Sequence, residues 1–301
     1  MNATHCAGID RSLLAAGHGT RNSFILVYDP NGQISLTPAA VRTLAATAGP
    51  DPADGVIRIV RTAAAALPEQ PHSNAPEWFM DYRNADGSIA QMCGNGVRVF
   101  TAALSERGAV TEQCFPIWTR AGVRTVEILD QPTGSETPGG SGAGDTEPDD
   151  DRQWQVRVGM GPVRLLGRQR QVLTAGRWRD AVDADLGNPH TVTLLSADDD
   201  LEALDLSTPP ELTSMPEQGT NVEFVQQLGP RHARMRVFER GVGETLSCGT
   251  GAVASIAVLA DALGDHSRQP WQLEVRGGTL TIGWGASDEM TLAGPAVLTA
   301  L

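Results

Sequence analysis

Two cysteines stand in the same short context at two places in the chain. Cys93 precedes Gly94, Asn95 and Gly96 in "AQMCGNGVRV", and Cys248 precedes a second Gly-x-Gly in "LSCGTGAVAS". An apolar run that favours a helix follows each of them. A thiol at the amino end of a helix lies beside unpaired backbone N–H groups and the positive end of the helix dipole, so its thiolate is favoured. The two motifs therefore predict two acid–base thiols, each beside open amides suited to binding an anion.

The elements around the two cysteines repeat along the chain. Three β-rich runs precede each one: "SFILVYD", "GVIRIVR" and "EWFMDYR" before Cys93, and "TVTLLS", "NVEFVQQL" and "ARMRVFERG" before Cys248. The cysteines are 248 − 93 = 155 positions apart, which indicates a duplicated unit. The predicted helices run from about Pro38 to Ala48 with Thr37 as cap, from about Asn95 to Arg107 with Gly108 as the stop, and through "GTGAVASIAVLADALG" to Gly264.

This pattern predicts an α+β fold of two pseudo-symmetric domains. Each is expected to be a curved, mainly antiparallel, barrel-like sheet around a central helix, because a helix that is apolar nearly all round must be buried. The amino-terminal half is placed at residues 1–129, with a strand at about 295–301 returning to it, and the second half at 153–294. Residues 130–152, rich in Gly, Pro and acid, are predicted to be a loosely held insertion. The active site is expected in the cleft between the domains.

Two thiols that share a cleft could invert a carbon centre. One thiolate would take the α-proton of a bound amino acid while the opposite thiol returns a proton to the other face, which is general acid–base catalysis. Charge that grows on the carboxylate would meet the open helix amides.

The composition disfavours several classes of cofactor and binding partner. All 23 basic residues are arginine, so the chain has no lysine to hold pyridoxal phosphate as a Schiff base, and no cofactor is expected. A net charge of −13 disfavours a nucleic-acid partner. The sequence shows no apolar run near the roughly 20 residues that span a bilayer and no secretory signal, so a cytoplasmic protein without a membrane partner is expected. Cys6 and Cys114 lie outside the motifs, and too few Cys and His have ligand spacing for a metal site.

The sequence resembles the diaminopimelate epimerase family, which interconverts LL- and meso-diaminopimelate without pyridoxal phosphate on the route to lysine and peptidoglycan. The segments "RNADGSIAQMCGNG", "GNPH", "GTNVEF", "FERGVGETLSCGTGA" and the closing "GPA" carry the resemblance, which extends from about Gly17 to Pro295. The related proline racemases usually have a histidine after the first motif and Pro-Cys-Gly in the second. "MCGNG" and "LSCGTG" fit the diaminopimelate branch better.

The resemblance implies roles for individual residues. Cys93 and Cys248 would be the catalytic acid–base pair, and Gly94, Asn95, Gly249 and Thr250 would bind the α-carboxylate. The residues that would hold the rest of the substrate, chiefly its distal amino-acid end, are Asn22, Asn84, Asn188, Asn221, Glu239 and Arg240. His190 and Glu239 would adjust the proton affinity of the cysteines. The substrate is thus a small molecule, and a homodimer is a candidate assembly.

The chain departs from the family pattern at its amino-terminal side. Ser23 replaces an acid in "GTRNSF", and Gly55 stands where many members have a substrate-contacting glutamine. Residues before about Ala15 resemble an extension.

Two other functions fit the same residues. A cofactor-independent racemase of another amino acid, such as proline or hydroxyproline, would use both thiols without the Asn, Glu and Arg set. A noncatalytic binding protein could instead join Cys93 and Cys248 in a regulatory disulfide.

Overall fold

The computed structural model describes residues 5–47, 51–67, 74–132, 152–286 and 288–299. The chain divides into two compact units: unit 1 runs to Arg157 and resumes at Pro295, and unit 2 runs from Val158 to Gly294. Within the described ranges the secondary structure is mostly β-strand with three α-helices, as an α+β fold requires. Most of the predicted insertion, residues 133–151, lies outside the described residues.

Unit 1 contains the first of the two Cys-Gly-x-Gly motifs, the one with Cys93. Its elements are β1 (His5–Cys6), β2 (Ile9–Asp10), β3 (Leu14–Gly19), β4 (Asn22–Tyr28), α1 (Pro38–Ala45), β5 (Gly55–Arg61), β6 (Trp78–Asn84), α2 (Gly94–Glu106), β7 (Cys114–Thr119), β8 (Gly122–Asp130) and the first part of β9 (Arg152–Pro162).

Unit 2 contains the second Cys-Gly-x-Gly motif, the one with Cys248. Its elements are the end of β9, then β10 (Arg164–Thr174), β11 (Arg177–Asp185), β12 (Pro189–Leu195), β13 (Asn221–Gly229), β14 (His232–Glu239), β15 (Gly243–Thr245), α3 (Gly249–Leu263), β16 (Trp271–Val275), β17 (Gly278–Trp284) and most of β18 (Glu289–Thr299). The last part of β18 belongs to unit 1 and pairs with β3.

The two units repeat one order of strand pairing. From β3 to β8 the successive pairs β3–β4, β4–β5, β5–β6, β6–β7 and β7–β8 are antiparallel, parallel, antiparallel, parallel and antiparallel. The same order holds along β11, β12, β13, β14, β16 and β17. The second parallel connection passes through α2 in unit 1 and through α3 in unit 2, as crossovers between parallel strands usually do. Cys93 and Cys248 therefore occupy equivalent points of a duplicated fold.

Each of these two helices is surrounded by strands of its own unit. Helix α2 packs against β3, β4, β5, β6 and β8, and α3 packs against β11 to β14, β16 and β17. All residues from Gly94 to Leu104 are buried, and α3 is buried along most of its length. The apolar composition of the helices predicted this central position, and it is confirmed.

Helix boundaries follow the local capping residues. Thr37 accepts a hydrogen bond from the backbone N–H of Ala40, and Pro38 opens α1 as predicted, but α1 ends at Ala45, three residues before the predicted end. Helix α3 stops where Gly264 adopts a left-handed conformation, with φ of 63°.

Candidate active site

Both motif cysteines are the N-cap residues of central helices. Cys93 has φ and ψ of −137° and 119°, and Cys248 has −118° and 115°, so each lies in extended backbone directly before the helix. The first helical hydrogen bonds run from Val97 N to Cys93 O and from Ala252 N to Cys248 O, both at 2.8 Å. Backbone N–H groups before these donors have no partner inside the helix, which makes each helix start suitable for an anion.

The second glycine of each motif lets the helix start approach its sheet. A Cβ at Gly96 would meet Met80 Cε at 2.9 Å and Ile57 Cδ1 at 3.0 Å. A Cβ at Gly251 would meet Glu223 Oε1 at 2.5 Å. Packing density therefore explains why the spacing Cys-Gly-x-Gly occurs twice: the last glycine seats the helix end against neighbouring strands.

Polar groups of unit 1 surround the sulfur of Cys93. Its thiol lies 3.5 Å from Asn22 Oδ1, and the Asn95 amide donates to the same oxygen at 3.4 Å. Thr20 donates its hydroxyl to Asn95 Oδ1 at 3.2 Å. The structure thus brings together the predicted residues Asn22, Cys93 and Asn95 at the start of α2.

Asn84 lies at the sheet edge where β5 begins. It pairs with Gly55 across the antiparallel β5–β6 ladder, and its side-chain amide donates to Ser88 Oγ at 3.0 Å in the turn that follows. A Cβ at Gly55 would meet Arg83 O at 2.5 Å and Tyr82 Cε2 at 2.6 Å, so this position has no room for a glutamine side chain.

The other departure from the family pattern has a local explanation. The backbone N–H of Ser23 donates to Asp54 Oδ2 at 2.7 Å, and its hydroxyl lies 3.4 Å from the same atom. An acid at position 23 would oppose the Asp54 carboxylate, whereas serine can donate to it.

Cys248 lies in a buried and acidic part of unit 2. Its Sγ is 3.5 Å from Thr250 Oγ1, which in turn accepts a hydrogen bond from the Asn188 amide at 3.2 Å. Burial raises the pKa of the Cys248 thiol well above its ordinary value, and the nearby Glu239 and Glu223 carboxylates raise it further. The hydrogen bonds from Thr250 and from a backbone amide act in the opposite direction but do not outweigh burial.

Glu239 shares this environment. Burial is the main cause that raises the pKa of its carboxyl group, and the charge of Glu223 adds to it. Thr245 donates its hydroxyl to Glu239 Oε1, and Cys248 also hydrogen-bonds to this carboxyl group. Glu239 is therefore a carboxyl group held against the sulfur with a weakened tendency to ionise.

Three other predicted residues of unit 2 make their hydrogen bonds with residues other than Cys248. His190 is buried on β12, and its Nδ1 is 2.7 Å from Glu223 Oε1, so His190 contacts a carboxylate rather than the sulfur. Asn221 accepts a hydrogen bond from the backbone N–H of Arg240 at 2.9 Å. The exposed guanidinium of Arg240 donates to the backbone oxygen of Gln218.

Among the described residues, no group of three or more His, Cys, Asp or Glu side chains has metal-binding geometry. Within the same ranges, no helix is long and apolar enough to cross a membrane.

Comparison with known proteins shows the family to which this chain belongs. The family model described as diaminopimelate epimerase matches residues 14–137 and 183–299. The diaminopimelate epimerase of Streptomyces coelicolor is 41% identical, with 94% of this chain and 92% of the relative covered. That of Thermobifida fusca is 40% identical, with 95% of each chain covered. This chain belongs to the diaminopimelate epimerase family.

More distant solved structures share the fold alone. A PhzF-family phenazine biosynthesis protein from Bacillus anthracis is 15% identical with a TM-score of 0.60, covering 95% of this chain and 97% of that one. A hydroxyproline epimerase from Agrobacterium vitis is 16% identical with a TM-score of 0.55, covering 95% and 88%. The fold therefore extends beyond the diaminopimelate epimerase family.

Two charged residues near the cysteines of this diaminopimelate epimerase family member were not singled out by sequence. Arg98 follows Cys93 by five positions in α2 and is fully buried, and Glu223 is fully buried on β13 beside His190. The signal for both was present, because each interrupts an apolar run, "GVRVF" and "NVEFV". A charged residue inside such a run is rarely buried without a specific partner.

Proposed function

We propose that this protein interconverts LL- and meso-diaminopimelate, with Cys93 and Cys248 as its two acid–base residues and without a cofactor. The observation that carries the proposal is the repeated arrangement of a cysteine as N-cap of a central helix, at equivalent points of two units. Membership of the diaminopimelate epimerase family supports the choice of substrate. The two units are proposed to be the two halves of the enzyme.

The proposed reaction is a proton exchange at one α-carbon. The thiolate of one cysteine forms an S–H bond as the Cα–H bond breaks, and the electron pair passes into the substrate carboxylate. The thiol of the other cysteine then gives its proton to the opposite face of the carbon. The two sulfurs exchange protonation states, so the reverse reaction uses them in opposite roles.

Backbone amides at the two helix starts are proposed to stabilise the carbanion. They lie where negative charge grows on the carboxylate, and they need no cofactor to do so. Gly94 and Asn95 at one start, and Gly249 and Thr250 at the other, are the proposed carboxylate-binding residues. The absence of lysine supports a mechanism without a pyridoxal Schiff base.

The remaining predicted residues are proposed to recognise the distal amino-acid end. Arg240 has the planar fork that suits a carboxylate, and side-chain oxygens of Asn22, Asn84, Asn188 and Asn221 suit an ammonium group. Arg240 is exposed, and its guanidinium, which donates to the backbone oxygen of Gln218, has further N–H donors for a ligand. His190 and Glu239 are proposed to tune the cysteine proton affinities. A cytoplasmic homodimer that acts on a small molecule completes the proposal, and sedimentation measures the oligomeric state.

A panel of amino acids tests the substrate assignment. Purified protein is incubated with LL-diaminopimelate, L-proline and trans-4-hydroxy-L-proline, and the formation of each epimer is followed by chiral chromatography. The expected result is turnover of diaminopimelate, with R240M greatly reducing kcat/KM for that substrate. Turnover of an imino acid instead would assign a different racemase, and tight binding without any epimer would indicate a binding protein.

A further inference from the structure

Arg98 places a positive charge in the interior of unit 1 beside Cys93. Its side chain is fully buried, and it donates to Pro295 O at 3.1 Å, Thr20 Oγ1 at 3.0 Å and Gly94 O at 3.5 Å. All three acceptors are neutral. A buried guanidinium without a counter-anion is costly, because neutral acceptors replace only part of its hydration.

The thiol of Cys93 is the ionisable group that acts on Arg98. Burial lowers the pKa of Arg98 to about 10, and the negative charge of an ionised Cys93 opposes this shift. Arg98 therefore remains charged near neutral pH. Ionisation of Cys93 to the thiolate supplies a negative charge that offsets the positive charge of Arg98.

The strands that pack on the first turns of α2 present mainly small or apolar groups. Gly19 lies against Arg98, and Phe24, Ile57 and Met80 surround Gly96. Among the described residues, β3 carries the imidazole of His18, and β6 carries the phenol of Tyr82, which packs edge-on against Phe24. An imidazole is neutral or cationic near pH 7. A phenol is neutral near pH 7, so it does not replace Cys93 as the anion.

The surroundings of Cys248 carry the opposite charge. Burial is the main cause that raises the pKa of its thiol, and the carboxylates of Glu239 on β14 and Glu223 on β13 raise it further. Glu223 is held in place by His190 Nδ1 at 2.7 Å and by the close approach of Gly251. Among the described residues, its second oxygen and His190 Nε2 have no hydrogen-bond partner.

The other acids near His190 are neutralised by arginines of their own. Asp185 pairs with Arg164 at 2.8 Å, and Asp183 pairs with Arg170 at 2.6 Å. The acidic groups that act on Cys248 are therefore Glu239 and Glu223, and His190 Nδ1 lies 2.7 Å from Glu223 Oε1.

We propose that two buried charges help to set the thiols in opposite protonation states in the free protein: Arg98 holds Cys93 as the thiolate, and Glu223 adds to burial and Glu239 in holding Cys248 as the thiol. Both are positioning residues, because they act through the cysteines. This assignment rests on the proposed two-thiol function and deepens it. The free protein is then ready to deprotonate the isomer whose α-hydrogen faces Cys93, and must exchange protons with solvent before it acts on the other isomer.

Single-cysteine proteins measure the two protonation states separately. In a C6S/C114S background, C248S leaves Cys93 as the remaining thiol and C93S leaves Cys248. The rate of alkylation by iodoacetamide is followed against pH by mass spectrometry of the cysteine peptide. The midpoint of each profile is compared rather than the rate, because the rate also depends on how accessible the sulfur is. The expected order is a lower midpoint for Cys93 than for Cys248, and the reverse order would overturn the proposal.

Charge variants then test the two positioning residues. R98Q keeps hydrogen-bond donors but removes the charge, and it should raise the Cys93 midpoint by about one to three pH units without moving that of Cys248. R98K should leave the Cys93 midpoint near its original value. E223Q should lower the Cys248 midpoint and leave that of Cys93 in place. An unchanged Cys93 midpoint in folded R98Q, or an unchanged Cys248 midpoint in folded E223Q, would overturn the corresponding half.

A matched control separates local charge from general perturbation. Arg58 is largely buried in unit 1 but pairs with Asp81 at 2.8 Å, so R58Q should move neither midpoint. A shift of Cys93 in R58Q as large as in R98Q would contradict the assignment to Arg98. If R98Q does not fold, the order of the two midpoints with Arg98 intact still tests the opposite protonation states, and a reversed order would overturn them.

Turnover of diaminopimelate is measured separately on the unsubstituted protein. Midpoints in the expected order without turnover would support the proton assignment and overturn only the proposed function.

Discussion

Cys248 shows how burial and charge determine the behaviour of one side chain. Its thiol is enclosed in unit 2 beside two carboxyl groups, so the folded state favours the protonated form. Above the unfolded-state pKa of about 8.5, the unfolded chain releases this proton while the folded chain keeps it. The contribution of Cys248 to stability is therefore complete below that pH and is lost as pH rises toward the folded-state value.

This difference predicts how C248A changes alkaline stability. The free energy of unfolding of the unsubstituted protein should fall relative to that of C248A above about pH 8.5, by up to about 1.4 kcal/mol per pH unit. Urea unfolding at a series of pH values measures this difference in the free energy of unfolding between the two proteins. The control is C114S, because this substitution removes an exposed thiol and leaves Cys248 in place. If the difference in unfolding free energy between the unsubstituted protein and C248A varies with pH no more than the difference for C114S, the raised pKa of Cys248 is contradicted.

At the scale of elements, α2 begins at Gly94, one residue before the predicted start at about Asn95, and α3 begins at Gly249 as predicted. The glycines, the apolar helices and most strand centres could be read from the pattern because they depend on local chemistry. The pairing of β4 with β5 and of β12 with β13 in parallel could not, because parallel and antiparallel strands leave similar local signals. The polar contacts of Glu223 and Arg98 also depend on which strands lie next to the helices, so sequence reasoning missed them.

Helix α3 packs closely against β13 at Gly251, so G251A is predicted to lower kcat. The added methyl group would lie 2.5 Å from Glu223 Oε1, so it should displace Glu223 from His190. We expect kcat to fall at least about tenfold, since displaced electrostatics at a thiol proposed to be an acid–base residue cost on the order of 1 to 3 kcal/mol. Steady-state kinetics and thermal unfolding are measured together.

The control lies at the other end of the same helix. A Cβ at Gly264 meets no atom within 4 Å, but its φ of 63° strains any other residue. G264A should therefore lose about 1 kcal/mol of stability and keep its kcat. Equal losses of kcat in G251A and G264A would show that general loosening of α3, rather than Glu223, is responsible.

Asp81 ties together several elements of unit 1. Its buried carboxylate contacts Arg58 of β5, Arg83 of β6 and Arg120 in the turn between β7 and β8. Although burial opposes ionisation, the hydrogen bond and charge of Arg120, with the charges of Arg58 and Arg83, lower its pKa overall. The stability it contributes is present above the ordinary value of 3.8 and is lost as pH falls through the lower folded-state pKa.

Removing this charge should destabilise unit 1. D81N leaves buried arginines without their anion, which costs roughly 3 to 5 kcal/mol, and the loss should shrink as pH falls below about 4. Urea unfolding near neutral pH and in acid measures both effects. E77Q serves as the control, because Arg61 and Glu77 form an exposed pair that contributes at most about 1 kcal/mol. A D81N effect no larger than that of E77Q would contradict the structural role of Asp81.

At the scale of the whole molecule, both units repeat one order of strand pairing around a central helix. The sequence predicted this duplication from the spacing of the cysteines and from the runs that precede them. A duplicated fold supplies two equivalent helix starts, and the differences that matter are the side chains around them. Arg98 accompanies one thiol and Glu223 the other, so a repeated backbone carries two thiols in unlike electrostatic surroundings.

The central claim, that two different thiols act on one α-carbon, is tested most directly by the position of solvent deuterium early in the reaction. The protein is incubated in deuterated water with LL-diaminopimelate, and mass spectrometry follows deuterium in recovered substrate and in meso product before about a tenth of the substrate has reacted. Two monoprotic bases predict deuterium at the α-carbon of the product and almost none in recovered substrate. Deuterium entering recovered substrate as fast as product would show that a single base serves both faces, and would contradict the account.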